Sequence, residues 1–158
     1  MSYKIEIKDQ PSLPVLAVRL RTAVDKMPQE LDKTFKKIIR YLNEIGEEPS
    51  NTYFAAYHNM DMDNLDLEVG IVVNEVLPGE GDIVAGEIPG GRQVSTFYKG
   101  PYREAKSSFG TIRQWLDENG CASTGVVYEF YYHSPVKLPE SDLITKIVFP
   151  IVSTGNLN

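Results

Sequence analysis

The chain lacks the features that indicate a disulfide-linked, secreted or membrane-anchored protein. Cys121 is its single cysteine, so an internal disulfide is excluded, and we expect this thiol to be a small filler residue after a helix. No apolar run approaches the length of a membrane span. Residues 1–7 alternate polar and apolar side chains, which is typical of a strand rather than a signal peptide. We therefore expect no membrane partner and a cytoplasmic location.

Positively charged residues are outnumbered by acidic ones, with 16 Lys and Arg against 22 Asp and Glu. The formal net charge is −6, and no stripe of Lys and Arg indicates a helix that reads DNA. A direct nucleic-acid partner is therefore not expected. The same charge favours the attraction of cationic small molecules.

Motifs for metal or phosphate chemistry are missing as well. The acidic stretch 61–66 lacks the glycine and the closing glutamate of a calcium-binding loop, so we interpret it as a solvated turn. The glycine runs have no strand-to-helix context, and no nucleophile-elbow motif occurs. The sequence thus predicts no metal site and no cofactor, in one domain covering residues 1–158.

The most informative segment that is present is the aromatic strand 126–133, bounded by Gly125 and Pro135. Glu129 is a single carboxylate among its four aromatic side chains. On the solvent face of an amphipathic strand it needs no special explanation. If it is buried, it must be paired or protonated. It then suits either the binding of an apolar cation or acid–base chemistry.

The chain divides into two similar halves, about 4–75 and 92–152, each with the order strand, helix, strand, strand. The helical segments 35–46 and 109–120 carry an aromatic residue, the following leucine and a terminal glycine at the same offsets. The strands after them both end in Tyr-His, although this match needs one inserted residue. That alignment makes Phe54 the counterpart of Glu129.

This pattern predicts an α+β fold of duplicated βαββ units related by a pseudo-twofold axis. We expect antiparallel sheets that face each other around a central pocket, with the helices outside. Glu129, Tyr131 and His133 share one face of their strand. We expect Tyr128, Phe130 and Tyr132 to pack on the other face, beneath the helices.

Several motifs resemble those of the GyrI-like, or AraC-type effector-binding, domain family across residues 3–152. They are the entrance to the second helix (98–102), the end of that helix (115–120), the Glu-x-Tyr strand with a nearby proline (129–135) and the closing strand (143–151). In the first half, segments 6–8 and 67–73 are similar too. The chain departs from the family pattern at Ser134, where Asp is common.

The resemblance implies a central pocket for small molecules, often hydrophobic cations or amphiphiles, with Glu129 as its carboxylate. Tyr131 and Trp115 are expected to join it, and Phe54, Tyr98 and Tyr102 are candidate walls. Many relatives carry a DNA-binding domain in front of this one, and we expect a stand-alone domain here.

The leading hypothesis is therefore a binding protein that senses or sequesters such a ligand. Two alternatives stay open. One is a hydrolase of reactive, cyclopropane-bearing molecules with Glu129 as general base. The other is a protein that inhibits gyrase, as some stand-alone relatives do.

Overall fold

The computed structural model describes residues 4–100, 107–132 and 144–152. In chain order its elements are β1 (Glu6–Gln10), β2 (Leu13–Thr22), a 3-10 turn (Val24–Lys26), α1 (Met27–Glu44), β3 (Tyr53–Tyr57), β4 (Leu65–Val72), β5 (Val84–Ile88), β6 (Gly91–Lys99), α2 (Ser107–Glu118), β7 (Val127–Tyr131) and β8 (Ile144–Pro150). None of the helices in these ranges is long and apolar enough to cross a membrane.

Both predicted helices are confirmed, and their sequences explain them. Pro28 lies in the first turn of α1, where its missing N–H costs no hydrogen bond. Apolar residues at helical spacing are buried on one side of each helix: Leu31, Phe35, Ile38 and Leu42 in α1, and Phe109, Ile112 and Leu116 in α2. Glycines follow the last turns at Gly46 and Gly120, with φ of 78° and 67°, and close the helices as left-handed caps.

The strands form one curled antiparallel sheet of eight strands, in the order β1-β6-β8-β7-β3-β4-β2-β5. The α+β architecture is as predicted, but the expected pair of facing sheets is wrong. The two halves meet edge to edge because β3 pairs with β7, with Tyr53 opposite Tyr131 and Tyr57 opposite Val127. This ladder joins the strands of the two halves into a single continuous sheet.

Each half contributes three strands in the same spatial order, which from the outside to the centre is β2, β4, β3 in one and β6, β8, β7 in the other. Two further strands extend the edges. β1, from the start of the chain, pairs with β6 of the second half, and β5 pairs with β2 of the first. β5 was not predicted from the sequence, since four of its five residues are exposed and no alternating apolar pattern marks it.

The two helices cover the same face of the sheet, here called the inner face. α1 lies mainly over β2 and β4, and α2 over β6 and β8. The main core forms between these helices and the inward side chains of the strands. The central strands β3 and β7 therefore lie beneath the boundary between the areas that α1 and α2 cover, here called the helix seam. The expectation of helices outside two facing sheets is wrong.

The opposite, outer face carries a second apolar cluster that includes Phe54, Tyr128, Phe130 and Val148. None of its described members comes from a helix. The expectation that Tyr128, Phe130 and Tyr132 pack beneath the helices is thus wrong, although the three residues do share one face of the strand as predicted. The error lies in which face was assigned to the helices, and a strand sequence alone cannot decide that.

The phenol of Tyr128 on the outer face makes the stability of the fold decrease at alkaline pH. Burial, together with the nearby Glu68 carboxylate, raises the pKa of Tyr128 from 10.0 to about 12. Between these values the folded chain keeps a proton that the unfolded chain has lost, so stability that is complete below the unfolded pKa declines as the pH rises. We expect urea unfolding to show a smaller loss of stability between about pH 9 and pH 11 in Tyr128→Phe, by roughly 1 kcal/mol. An equal loss in the variant and the parent would contradict this.

Candidate functional site

The Glu129 carboxylate lies in the middle of the inner face. Strand β7 presents it beneath the helix seam, with Ala55 of β3 directly opposite on one side and Ile147 of β8 on the other. Its exposed fraction is 0 %. The reading of Glu129 as a solvent-face residue is therefore excluded.

Two tyrosines hold this carboxylate from both halves of the chain. The Tyr57 hydroxyl donates to Glu129 Oε1 at 2.6 Å, and the Tyr131 hydroxyl donates to the same oxygen at 2.5 Å. Both rings are buried, with at most 1 % exposed. Such short bonds from phenols to a carboxylate are stronger than neutral hydrogen bonds, and they fix the orientation of the carboxylate.

The Tyr57 hydroxyl stays protonated in this setting. Burial first, and then the neighbouring Glu129, raise the pKa of Tyr57 well above its usual value of 10.0. Its oxygen also lies 3.3 Å from Met27 Sδ of α1, a much weaker acceptor than the carboxylate. The phenol proton is therefore directed at Glu129.

The aromatic surroundings of the two tyrosines are exchanged between the halves. Phe35 of α1 packs edge-on against Tyr131 of the second half, with ring centroids 6.3 Å apart. Phe109 of α2 packs edge-on against Tyr57 of the first half at 5.5 Å. Each helix thus supports the tyrosine that belongs to the other half, and edge-on contacts of this kind add stability beyond the buried area.

A single offset relates these residues without the insertion used in the sequence alignment. Phe109 follows Phe35 by 74 residues, and Tyr131 follows Tyr57 by the same interval. The counterpart of Glu129 is then Ala55, which lies directly opposite it on the inner face. The assignment of Phe54 as this counterpart is wrong, because one inserted residue moves a strand side chain to the other face.

The other predicted site residues have different positions. Phe54 is buried on the outer face, where its ring lies 6.3 Å from that of Phe130, so the structure does not bring it to Glu129. Tyr98 of β6 is on the inner face and mostly buried. Trp115 of α2 is half-buried at the margin of the inner core. Tyr102 and His133 lie outside the described residues.

Tyr57 is a site residue that was not predicted from the sequence. It ends an aromatic strand, and no local pattern there indicates a partner of Glu129. The signal that could have identified it is its place 74 residues before Tyr131, in a strand that follows an equivalent helix. Within the described ranges, no group of three or more His, Cys, Asp or Glu residues could hold a metal ion.

Comparison with known proteins agrees with this architecture. The sequence model of the GyrI-like small molecule binding domain matches residues 3–152. The chain belongs to the GyrI-like family. No curated protein matches the sequence significantly.

Solved structures share the fold of this GyrI-like domain. EcmrR in a DNA complex aligns with a TM-score of 0.82 and 24 % identity over 96 % of this chain, which spans 58 % of the EcmrR chain. The EcmrR C-terminal domain alone aligns over 98 % of this chain and 100 % of its own, with a TM-score of 0.75 and 24 % identity. SAV2435 bound to tetraphenylphosphonium has a TM-score of 0.57 and 10 % identity, with 97 % of this chain and 95 % of that chain covered.

Proposed function

We propose that this GyrI-like domain binds a small organic cation on its inner face, with Glu129 as the counter-charge. The observation that carries the proposal is a fully buried carboxylate held by two phenols beneath the helix seam. A negative charge in a site of low dielectric attracts a cation far more strongly than the same charge at a surface. The rings around it can add cation–π contacts.

One solved structure of similar fold supports an apolar cation as the ligand class. SAV2435 has been solved with tetraphenylphosphonium, a cation whose charge is surrounded by rings. The negative net charge of this chain also favours cations over anions. The biological role that follows is sensing or sequestration of such a molecule.

The burial of the site sets a condition on binding. Glu129, Tyr57 and Tyr131 are exposed by no more than 1 %, so a ligand can reach the carboxylate only when neighbouring inner-face side chains move apart. We therefore expect association rates below those of preformed, open pockets.

A pair of probes with one shape and different charge tests the proposal. Biphenylmethyl-trimethylammonium carries the cation, and 4-neopentylbiphenyl replaces its nitrogen by carbon. We expect the domain to bind the cation at least about tenfold more tightly, since one charge–charge contact in a partly desolvated site exceeds about 1.4 kcal/mol. Fluorescence titration of the biphenyl group measures both affinities. Equal affinities, or tighter binding of the neutral probe, would overturn the proposal.

A second candidate function is hydrolysis with Glu129 as general base. It is favoured by the two tyrosines that donate to one carboxylate oxygen, because a general base must be held in a fixed orientation. We expect turnover of a cyclopropane-bearing electrophile, lost in Glu129→Ala, if this candidate is correct. Mass spectrometry detects the product of such a reaction. Stoichiometric binding with no product would exclude hydrolysis of that substrate.

A further inference from the structure

Thr145 of β8 is a buried polar residue on the inner face that the proposed cation site does not use. Its exposed fraction is 0 %. Its hydroxyl has no hydrogen-bond partner within the part of the chain that the structure describes. A buried hydroxyl in that state is costly, and a valine of the same shape would avoid the cost.

The strand register places this hydroxyl next to the tyrosine that holds the carboxylate. Thr145 is directly opposite Tyr131 on one side and Tyr98 on the other. Directly opposite residues on one face have Cβ atoms about 5 Å apart, and diagonal neighbours lie within about 8 Å. Glu129 is the diagonal neighbour of Thr145, since it is opposite Ile147.

The same row lies close to one end of the sheet. β7 ends at Tyr131 and β6 ends at Lys99, while β8 begins at Ile144. Thr145 is therefore close to this end, and Glu129 lies one inner-face row deeper. A ligand that reaches Glu129 from this end of the sheet passes Thr145.

We propose that Thr145 is a specificity residue that accepts a hydrogen bond from an N–H group of the bound cation. The preferred ligand is then a protonated amine or amidinium, which carries N–H donors, rather than a quaternary onium ion, which has none. One such cation would meet the carboxylate with its charge and the threonine hydroxyl with an N–H. This inference rests on the proposed cation site at Glu129 and adds the chemistry of the headgroup.

The variant Thr145→Val tests the inference with two probes that differ only in their headgroup, biphenylmethylammonium and its trimethylammonium analogue. We expect the affinity for the primary ammonium to fall about tenfold, since a hydrogen bond to a charged donor is lost. The affinity for the trimethylammonium probe should change less than about twofold. Thr145→Ser keeps the hydroxyl and should keep the preference for the primary ammonium.

The ligand-free variant provides an independent readout. Removing a buried hydroxyl without a partner should raise the melting temperature of Thr145→Val by about 2–4 °C. An unchanged affinity for the ammonium probe, a fall in melting temperature, or no binding of that probe by the parent protein would each overturn the inference. If the parent protein distinguishes the trimethylammonium probe from its neutral isostere and Thr145→Val changes nothing, the cation site stands and the role of Thr145 fails.

Discussion

Glu129→Gln is expected to weaken binding of the trimethylammonium probe by about 30-fold or more, which corresponds to about 2 kcal/mol. The variant removes the charge and leaves the shape of the side chain. The glutamine carbonyl can still accept the hydrogen bonds that Tyr57 and Tyr131 donate, so the inner core should keep its packing. Binding of the neutral neopentyl probe should therefore change less than about threefold.

Glu68→Gln is the matched control for this loss. Glu68 is a partly buried carboxylate on the outer face, 3.4 Å from His58 Nε2, so the same chemical change is made on the other side of the sheet. Fluorescence titration of both variants with both probes separates charge at the site from net charge. A similar loss for the cationic and neutral probes in Glu129→Gln, or an equal loss of cation binding in Glu68→Gln, would show that Glu129 is not the counter-charge.

Gly70→Ala is expected to destabilise the fold by about 3 kcal/mol, which lowers the melting temperature by roughly 10 °C. A Cβ on Gly70 would lie 2.3 Å from the Leu16 carbonyl oxygen and 2.8 Å from Ala17 Cβ. These atoms belong to the neighbouring strand β2, where Ala17 is the register partner of Gly70. Since backbone cannot move aside as a flexible side chain can, the methyl group must push β2 and β4 apart.

Gly86→Ala provides the comparison for this prediction. Gly86 lies in the edge strand β5, and a Cβ there would meet Val15 Cγ2 at 3.5 Å, an ordinary van der Waals distance. We expect its melting temperature to stay within about 2 °C of the parent, as for most substitutions away from packed sites. Differential scanning calorimetry measures both variants. Similar melting temperatures for the two would mean that the β2–β4 contact yields without cost.

The helices and the central charge could be predicted from the sequence, because both depend on local signals. The spacing of Phe35, Ile38 and Leu42 and the capping glycine Gly46 specify α1 within a few residues. Glu129 was identified by contrast with the aromatic residues around it. Its burial makes that contrast meaningful, since a carboxylate in an apolar strand must be held by hydrogen-bond donors.

The relation between the halves could not be predicted in the same way. Whether β3 pairs with β7 or faces it across a core depends on contacts between residues at least 70 positions apart, and no local pattern records that choice. Phe54 was assigned to the wrong face because the alignment of the two halves contained one inserted residue. Strand side chains alternate with a period of two, so a shift of one residue exchanges the faces. An alignment at the 74-residue interval between Tyr57 and Tyr131, without an insertion, assigns the residues of both strands to the correct faces.

Strand β1 has a consequence for how the molecule can change shape. This strand belongs to the first half of the chain but pairs along its whole length with β6 of the second half. The halves are therefore joined by two ladders, β3 with β7 and β1 with β6. A rigid-body separation of the two halves would therefore break backbone hydrogen bonds in both ladders. A movement that admits a ligand to Glu129 while both ladders stay intact must therefore come from parts of the chain outside these strand pairs.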